Sequence, residues 1–177
     1  YRLGLDAAGR FLAFEATYYQ NGGAAADLSP AILERTLFHA TGAYFIPNVR
    51  VTGLSCRTNL PPFTAFRGFG GPQALFVIEA ALCVAARRMG RPPRELQEIN
   101  LLDDGDEFPY GMRFEGHAVR RSFAEALARF DVSGRVERIE RERGADPTVR
   151  HGLALMPVCF GISFTNLTLN QAGALVH

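Results

Sequence analysis

Thr64-Ala65-Phe66-Arg67-Gly68-Phe69-Gly70-Gly71-Pro72-Gln73 places three glycines directly ahead of a proline suited to the first turn of a helix. Glycines so placed let the backbone approach a neighbour closely and turn amide N–H groups toward an anion at the helix start. The run is not Gly-x-Gly-x-x-Gly with an acidic residue downstream, and it lacks the Gly-Lys-Ser/Thr of a P-loop, which argues against dinucleotide and simple phosphate sites. Phe66, Arg67 and Phe69 set a cation and two aromatic faces among the glycines, a mixture able to hold a planar heterocycle. The same residues also fit a tight strand-to-helix connection whose phenylalanines fill the core.

Downstream of Pro72, the residues Leu75, Phe76, Ile78, Glu79, Leu82, Cys83 and Ala86 predict a buried helix ending before Gly90. Pro92-Pro93 starts another through Leu96, Ile99 and Leu102. Val119 to Arg143 reads as two charged helices broken near Asp131-Ser133-Gly134, with Arg138–Glu142 and Glu137–Arg141 at i,i+4 spacing on a solvated face. Partial alternation from Gly152 to Leu169 predicts strands.

Upstream, Tyr1–Asp6 and Phe11–Tyr19 flank Ala7-Ala8-Gly9-Arg10 and predict a hairpin that ends at Asn21-Gly22-Gly23. Ser29-Pro30 opens a helix over Ala31 to Ala40, with Ile32, Leu33, Thr36, Leu37 and Ala40 as its stripe and Arg35 outside it. Tyr44 to Asn59 reads as strands joined by a turn at Pro47-Asn48 and Gly53. The class is α+β.

With 177 residues, 47% of them hydrophobic and 21% charged, the chain can bury a sizeable core. A net charge of +1 offers no field for nucleic acid or a membrane surface, and all nineteen basic residues are arginine. Cys56, Cys83 and Cys159 lack CxxC spacing, so neither a disulfide framework nor zinc is indicated, and a reducing cytoplasm fits best. His39, His117, His151 and His177 have no partner at metal-ligand spacing and are expected to be structural or solvent-facing; no side-chain metal site is expected. Cys159 reads as a buried thiol.

Three runs together resemble the molybdenum-cofactor subunit of the xanthine dehydrogenase/xanthine oxidase family. They are Glu34-Arg35-Thr36-Leu37-Phe38-His39, then Thr58-Asn59-Leu60-Pro61 with the Gly-rich run, then Phe160-Gly161-Ile162-Ser163-Phe164-Thr165 with Leu169-Asn170-Gln171-Ala172-Gly173-Ala174-Leu175. The resemblance implies that residues 1–177 are a piece of the molybdenum-cofactor-binding domain, cut at both ends. It implies that Arg67, Gly68, Phe69 and Gly70 lie against molybdenum-molybdopterin, that Phe69 stacks on the purine, that Phe164 meets it edge-on, and that Thr165 hydrogen-bonds it. Arg35 matches the arginine that binds a purine oxygen and stabilises charge developing on the ring, and so serves both catalysis and specificity.

The implied reaction hydroxylates hypoxanthine and xanthine to urate with water as oxygen source, electrons leaving through 2Fe-2S clusters and FAD to NAD. Those carriers would sit on other domains or subunits of a dimeric assembly, while the general-base glutamate near the C-terminal end of the molybdenum subunit and a second substrate-binding glutamate upstream would lie outside these 177 residues. The rival readings are an aldehyde oxidase-like hydroxylase, whose counterpart of Arg35 is typically not arginine, and a non-catalytic module binding an anionic heterocycle.

Overall fold

A computed structural model describes every residue except His117, Ala145, Pro147 and His177, so the readings of His117 and His177 lie outside the described residues. The predicted hairpin is present: β1 (Arg2–Leu5) pairs antiparallel with β2 (Phe11–Gly23). Asp6 closes its turn, accepting from the Arg10 amide at 2.8 Å through Oδ1, while Gly9 takes a φ of +89°. Helix α1 (Ser29–Phe38) then crosses over to β3 (Val49–Arg57), which pairs parallel to β2 and gives the sheet order β1-β2-β3.

One predicted break is not a break. β2 ends at Gly23, as Asn21-Gly22-Gly23 predicts, with an irregular register between Asn21 and Gly23, whereas residues 49–57 form one strand through Gly53. A Cβ at Gly53 would lie 2.9 Å from Cγ and Cδ1 of Leu33, so this glycine lets α1 settle onto the sheet and does not make a turn. Tyr44, read as strand, makes only an isolated bridge to Leu101.

Helix α2 (Gly71–Met89) buries Ala74, Leu75, Ile78, Ala81, Leu82 and Ala86, and ends at Gly90 in the left-handed region. The predicted stripe was too wide, because Phe76 and Cys83 are exposed on the opposite side. α3 (Pro93–Asn100) follows, then α4 (Val119–Arg129) and α5 (Val132–Glu142), separated at Asp131, whose carboxylate caps the amide of Gly134. Among the described residues the ion pair on α5 is Glu140 with Arg143 at 2.6 Å, not the expected i,i+4 pairs.

The segment from Gly152 onward is not strand; it runs irregularly to a single 3-10 turn, Leu167–Leu169. A strand needs a neighbour for its amides. Here the described sheet has three strands, and the segment is instead held by side chains: Gln97 Nε2 donates to the Leu155 carbonyl at 2.7 Å and to Glu79 Oε2 at 2.9 Å. Tyr44 donates to the other oxygen of Glu79 at 2.5 Å. Burial pushes the Glu79 carboxyl up, and these two hydrogen bonds pull against it.

The main core gathers Phe11, Phe14, Tyr44, Ile78, Leu82, Leu96, Leu101 and Phe123 between the hairpin and the helices. Among the described residues no helix is long and apolar enough to cross a membrane.

Buried Asn100 ties α3 to the hairpin: its Oδ1 accepts from the Phe11 amide at 2.8 Å, and its Nδ2 donates to the carbonyls of Gly9 and Leu96 at 2.9 and 2.8 Å. Asn100→Ala leaves the Phe11 N–H buried without a partner and should cost about 1–3 kcal/mol, read as a lower urea midpoint at unchanged slope.

Candidate functional site

The buried stripe of α1 differs from the one its apolar residues predict. Ile32, Arg35 and Thr36 are buried, and His39, the residue closing the helix, continues the same i, i+3, i+4, i+7 face. Arg35, expected outside the stripe, is only 4% exposed. The reason is that α1 has two neighbours. Its Leu33 side lies on Gly53 of the sheet, while the face bearing Arg35 and His39 meets the Gly-rich loop and the 160–165 segment.

Gly70 sets that meeting. It holds a φ of +96°, and a Cβ there would fall 2.3 Å from the Ile32 carbonyl and 2.8 Å from Thr36 Oγ1. The Thr36 hydroxyl has both the Ile32 and the Gly70 carbonyls within reach, at 3.0 and 3.2 Å. Within the loop, Phe69 N–H donates to the Phe66 carbonyl and Gly71 N–H to that of Gly68, so two amides expected to face an anion are used internally. The amides of Gly68 and Gly70 have no partner among the described residues. Phe66 does not fill the core, being 70% exposed, and Arg67 is exposed without a hydrogen bond or ion pair among the described residues.

Opposite the loop, residues of α1 and its cap grip every second residue of the irregular 161–165 segment. His39 Nε2 accepts from the Gly161 amide at 3.1 Å, Arg35 Nη1 donates to the Ser163 carbonyl, and Glu34 Oε2 accepts from the Thr165 hydroxyl at 2.7 Å. This grip carries Phe164 to Phe69, their centroids 5.3 Å apart and their planes at 84°. Beside the two rings opens a cavity of about 320 Å³ lined by Arg35, Gly68, Phe69, Phe160, Ile162, Ser163 and Phe164. The Arg35 guanidinium lies 5.1 Å from the Phe160 ring centre, and its Nε is buried without a partner. Burial pulls the Arg35 pKa below its ordinary value, although a guanidinium keeps its charge at neutral pH.

Of the residues singled out from the sequence, Arg35, Gly68, Phe69 and Phe164 therefore share one cavity, with Gly70 at its back. Arg67 stands at the loop's exposed side, and the Thr165 hydroxyl faces Glu34. A flat ring laid on Phe69 would meet Phe164 at a right angle and still lie near a cation, a geometry that orients a heteroaromatic and favours negative charge on it. A larger hollow of about 650 Å³, lined by Tyr1, Arg2, Ala81, Arg88 and Met89 among others, contains none of these groups.

His39, expected to be structural or solvent-facing, is buried between backbone groups of α1 and the 160–165 segment, and Phe160 lines the cavity. The legible signal was spacing: His39 lies four residues after Arg35, hence on the same helical face. Cys159 is half-buried, and burial raises its thiol, in line with an unreactive cysteine.

Residues 1–101, which carry the glycine-built loop and the helix it closes on, match the family described as "Molybdopterin cofactor-binding domain", to which the chain belongs. Over its whole length it is 42% identical to the xanthine dehydrogenase/oxidase of Gallus gallus, 41% to that of Rattus norvegicus and 38% to the xanthine dehydrogenase of Oryza sativa subsp. japonica. The chain spans 13% of the length of each. Among solved structures, the aldehyde oxidoreductase of Desulfovibrio gigas is similar at a TM-score of 0.74 and 26% identity, over 81% of this chain and 16% of that one. The fold also matches quinoline 2-oxidoreductase of Pseudomonas putida 86, with a TM-score of 0.68, 23% identity, and coverage of 81% of this chain and 19% of that one.

The residues fit such a cofactor. Gly68 is half-buried with its amide unpartnered among the described residues, Gly70 holds the loop down on α1, and the exposed Arg67 cation stands next to Gly68 for an anionic group.

Two outcomes follow from this geometry. Gly70→Ala drives a methyl into backbone at a strained φ, and should destabilise the protein by roughly 1–3 kcal/mol or more while lowering bound molybdopterin, checked by denaturation and cofactor assay. Burial depresses His39 below its ordinary 6.5, against the hydrogen bond to the Arg35 carbonyl and with a smaller contribution from the Arg35 charge, so the folded state binds fewer protons than the unfolded one. Stability present above about pH 6.5 should decline as pH falls toward the depressed folded value, and His39→Gln should remove that slope.

Proposed function

We propose that this chain is an internal piece of a molybdenum hydroxylase that oxidises hypoxanthine and xanthine to urate, and that it supplies one wall of the purine pocket. The observation that carries the reading is a buried arginine at the end of a cavity walled by two perpendicular phenylalanines. The full-length similarity to xanthine dehydrogenases supports the purine class.

On this reading Arg67, Gly68, Phe69 and Gly70 hold the molybdenum cofactor, which when bound supplies activation of water and the two-electron oxidation. Phe69 takes the flat face of the purine and Phe164 its edge, contacts worth about 0.5–1.5 kcal/mol beyond burial. They fix the plane and leave the ring's polar edges to be read by others. Arg35, already desolvated, places its guanidinium against a ring oxygen and stabilises the negative charge that grows there. Thr165 adds a hydrogen bond to the substrate through whichever of its polar groups Glu34 leaves available. The proton-abstracting glutamate, the 2Fe-2S clusters and FAD that carry electrons to NAD, and the dimer contacts belong to the rest of the assembly. The three free cysteines accord with a cytoplasmic setting.

Arg35 separates this reading from an aldehyde oxidase-like one, since an aldehyde has no distant ring oxygen for a guanidinium to hold. In the assembled enzyme, Arg35→Met should lower xanthine turnover by about 10²–10³ while aldehyde oxidation is largely kept. Unchanged xanthine turnover would remove the purine assignment.

A further inference from the structure

His39 occupies a junction that the substrate reading does not use. Its Nδ1 lies 2.7 Å from the Arg35 carbonyl and its Nε2 lies 3.1 Å from the Gly161 amide nitrogen. Both partners are backbone groups of fixed polarity. The carbonyl can only accept, so Nδ1 carries the proton, and the amide can only donate, so Nε2 must be bare. The ring is therefore neutral and in one tautomer. Its face lies against Phe160, centroids 4.9 Å apart, and Phe160 in turn packs on Gly71, where a Cβ would be 2.6 Å from the phenylalanine ring.

One imidazole thus joins the helix that presents Arg35, the segment that presents Phe164, and the first residue of α2 behind the Gly-rich loop. That segment has no strand partner among the described residues. Besides His39, α1 holds it through Arg35 and Glu34. The Glu34 contact is solvent-exposed, and Arg35 is the group that a substrate oxygen would draw away from Ser163. Asn170 holds both backbone groups of Phe164 from within the same segment, at 2.9 and 3.0 Å, so among the described hydrogen bonds from α1 and its cap the His39 bond is the one that ties this unit to the helix without competition from substrate.

We propose that His39 is a positioning residue for the proposed purine oxidation: as the neutral Nδ1–H tautomer it pins Gly161 and so holds Phe164 perpendicular to Phe69 when Arg35 turns to the substrate. The kinetic part rests on the purine reading above, whereas the anchoring part does not.

Glutamine and asparagine separate the two halves of the imidazole. A Gln amide reaches the place of Nε2 and can still accept from Gly161, while an Asn amide reaches only the place of Nδ1 and can still donate to the Arg35 carbonyl. The assembled, cofactor-loaded enzyme and its His39→Gln, His39→Asn and His39→Leu variants would be compared by hydrogen exchange of the peptide spanning 160–165 and by steady-state kinetics on xanthine. The peptide over Ile78–Leu82 reports whether the fold is intact.

Gln should keep exchange at 160–165 and KM within about 3-fold of the parent, while Asn and Leu should speed that exchange and raise KM by about 10-fold, the scale of one lost hydrogen bond, with the Ile78–Leu82 peptide unchanged. Equal behaviour of Gln and Asn, or parental behaviour of Leu, overturns the anchor. If Asn and Leu disturb the Ile78–Leu82 peptide, the Gln variant decides alone, and loss of its protection at 160–165 is fatal to the proposal. An enzyme without xanthine turnover in any form defeats the purine reading, and the exchange pattern still judges His39.

Discussion

The rest of the site depends on one close approach, that of Gly70 to the turn of α1 between Ile32 and Thr36. With a Cβ excluded at 2.3 Å from a carbonyl oxygen, only glycine lets the loop come down far enough for Thr36 to reach its backbone. Phe69, the residue just before it, is thereby set beside the Arg35 face of the helix, and α2 begins one residue later. Position and helix start are fixed by the same contact.

A second constraint works from the other side. α1 must satisfy a sheet on one flank and a functional loop on the other, and its sequence divides accordingly. Leu33 fits the bare backbone of Gly53, while Arg35 and His39 face the opposite way into a polar junction. Burying an arginine is costly unless its charge is used. Here one Nη finds a carbonyl, the plane lies near an aromatic face, and Nε is left over. A partly satisfied buried cation beside a cavity is a poor device for stability, which is why the proposed function gives it an incoming oxygen to hold.

Much of this was legible in the residues. Local signals gave the hairpin, the proline-started helices and the break at Asp131, because turn glycines, Pro at the first helical turn and capping carboxylates act over a few residues. Gly53 misled because a glycine inside a strand reads the same whether it makes a turn or admits a neighbour, and Leu33 is twenty residues away. The 152–169 segment misled for a related reason: alternation marks what an extended chain exposes and buries, but a strand exists only if another supplies its ladder. In the site, the aromatic and glycine residues were found from the loop itself and from three separated runs of resemblance. Arg35 was placed on the wrong face because an apolar stripe assumes an apolar neighbour, and the spacing that puts His39 on the face of Arg35 does not name its partners, which are backbone groups.

The most direct measurement is a crystal structure of the assembled enzyme with xanthine or a slowly turned-over purine bound. The ring should lie flat on Phe69 with its edge toward Phe164, and a ring oxygen should sit within hydrogen-bond distance of the Arg35 guanidinium. A purine seated elsewhere, with Arg35 donating only to Ser163, would contradict the central claim.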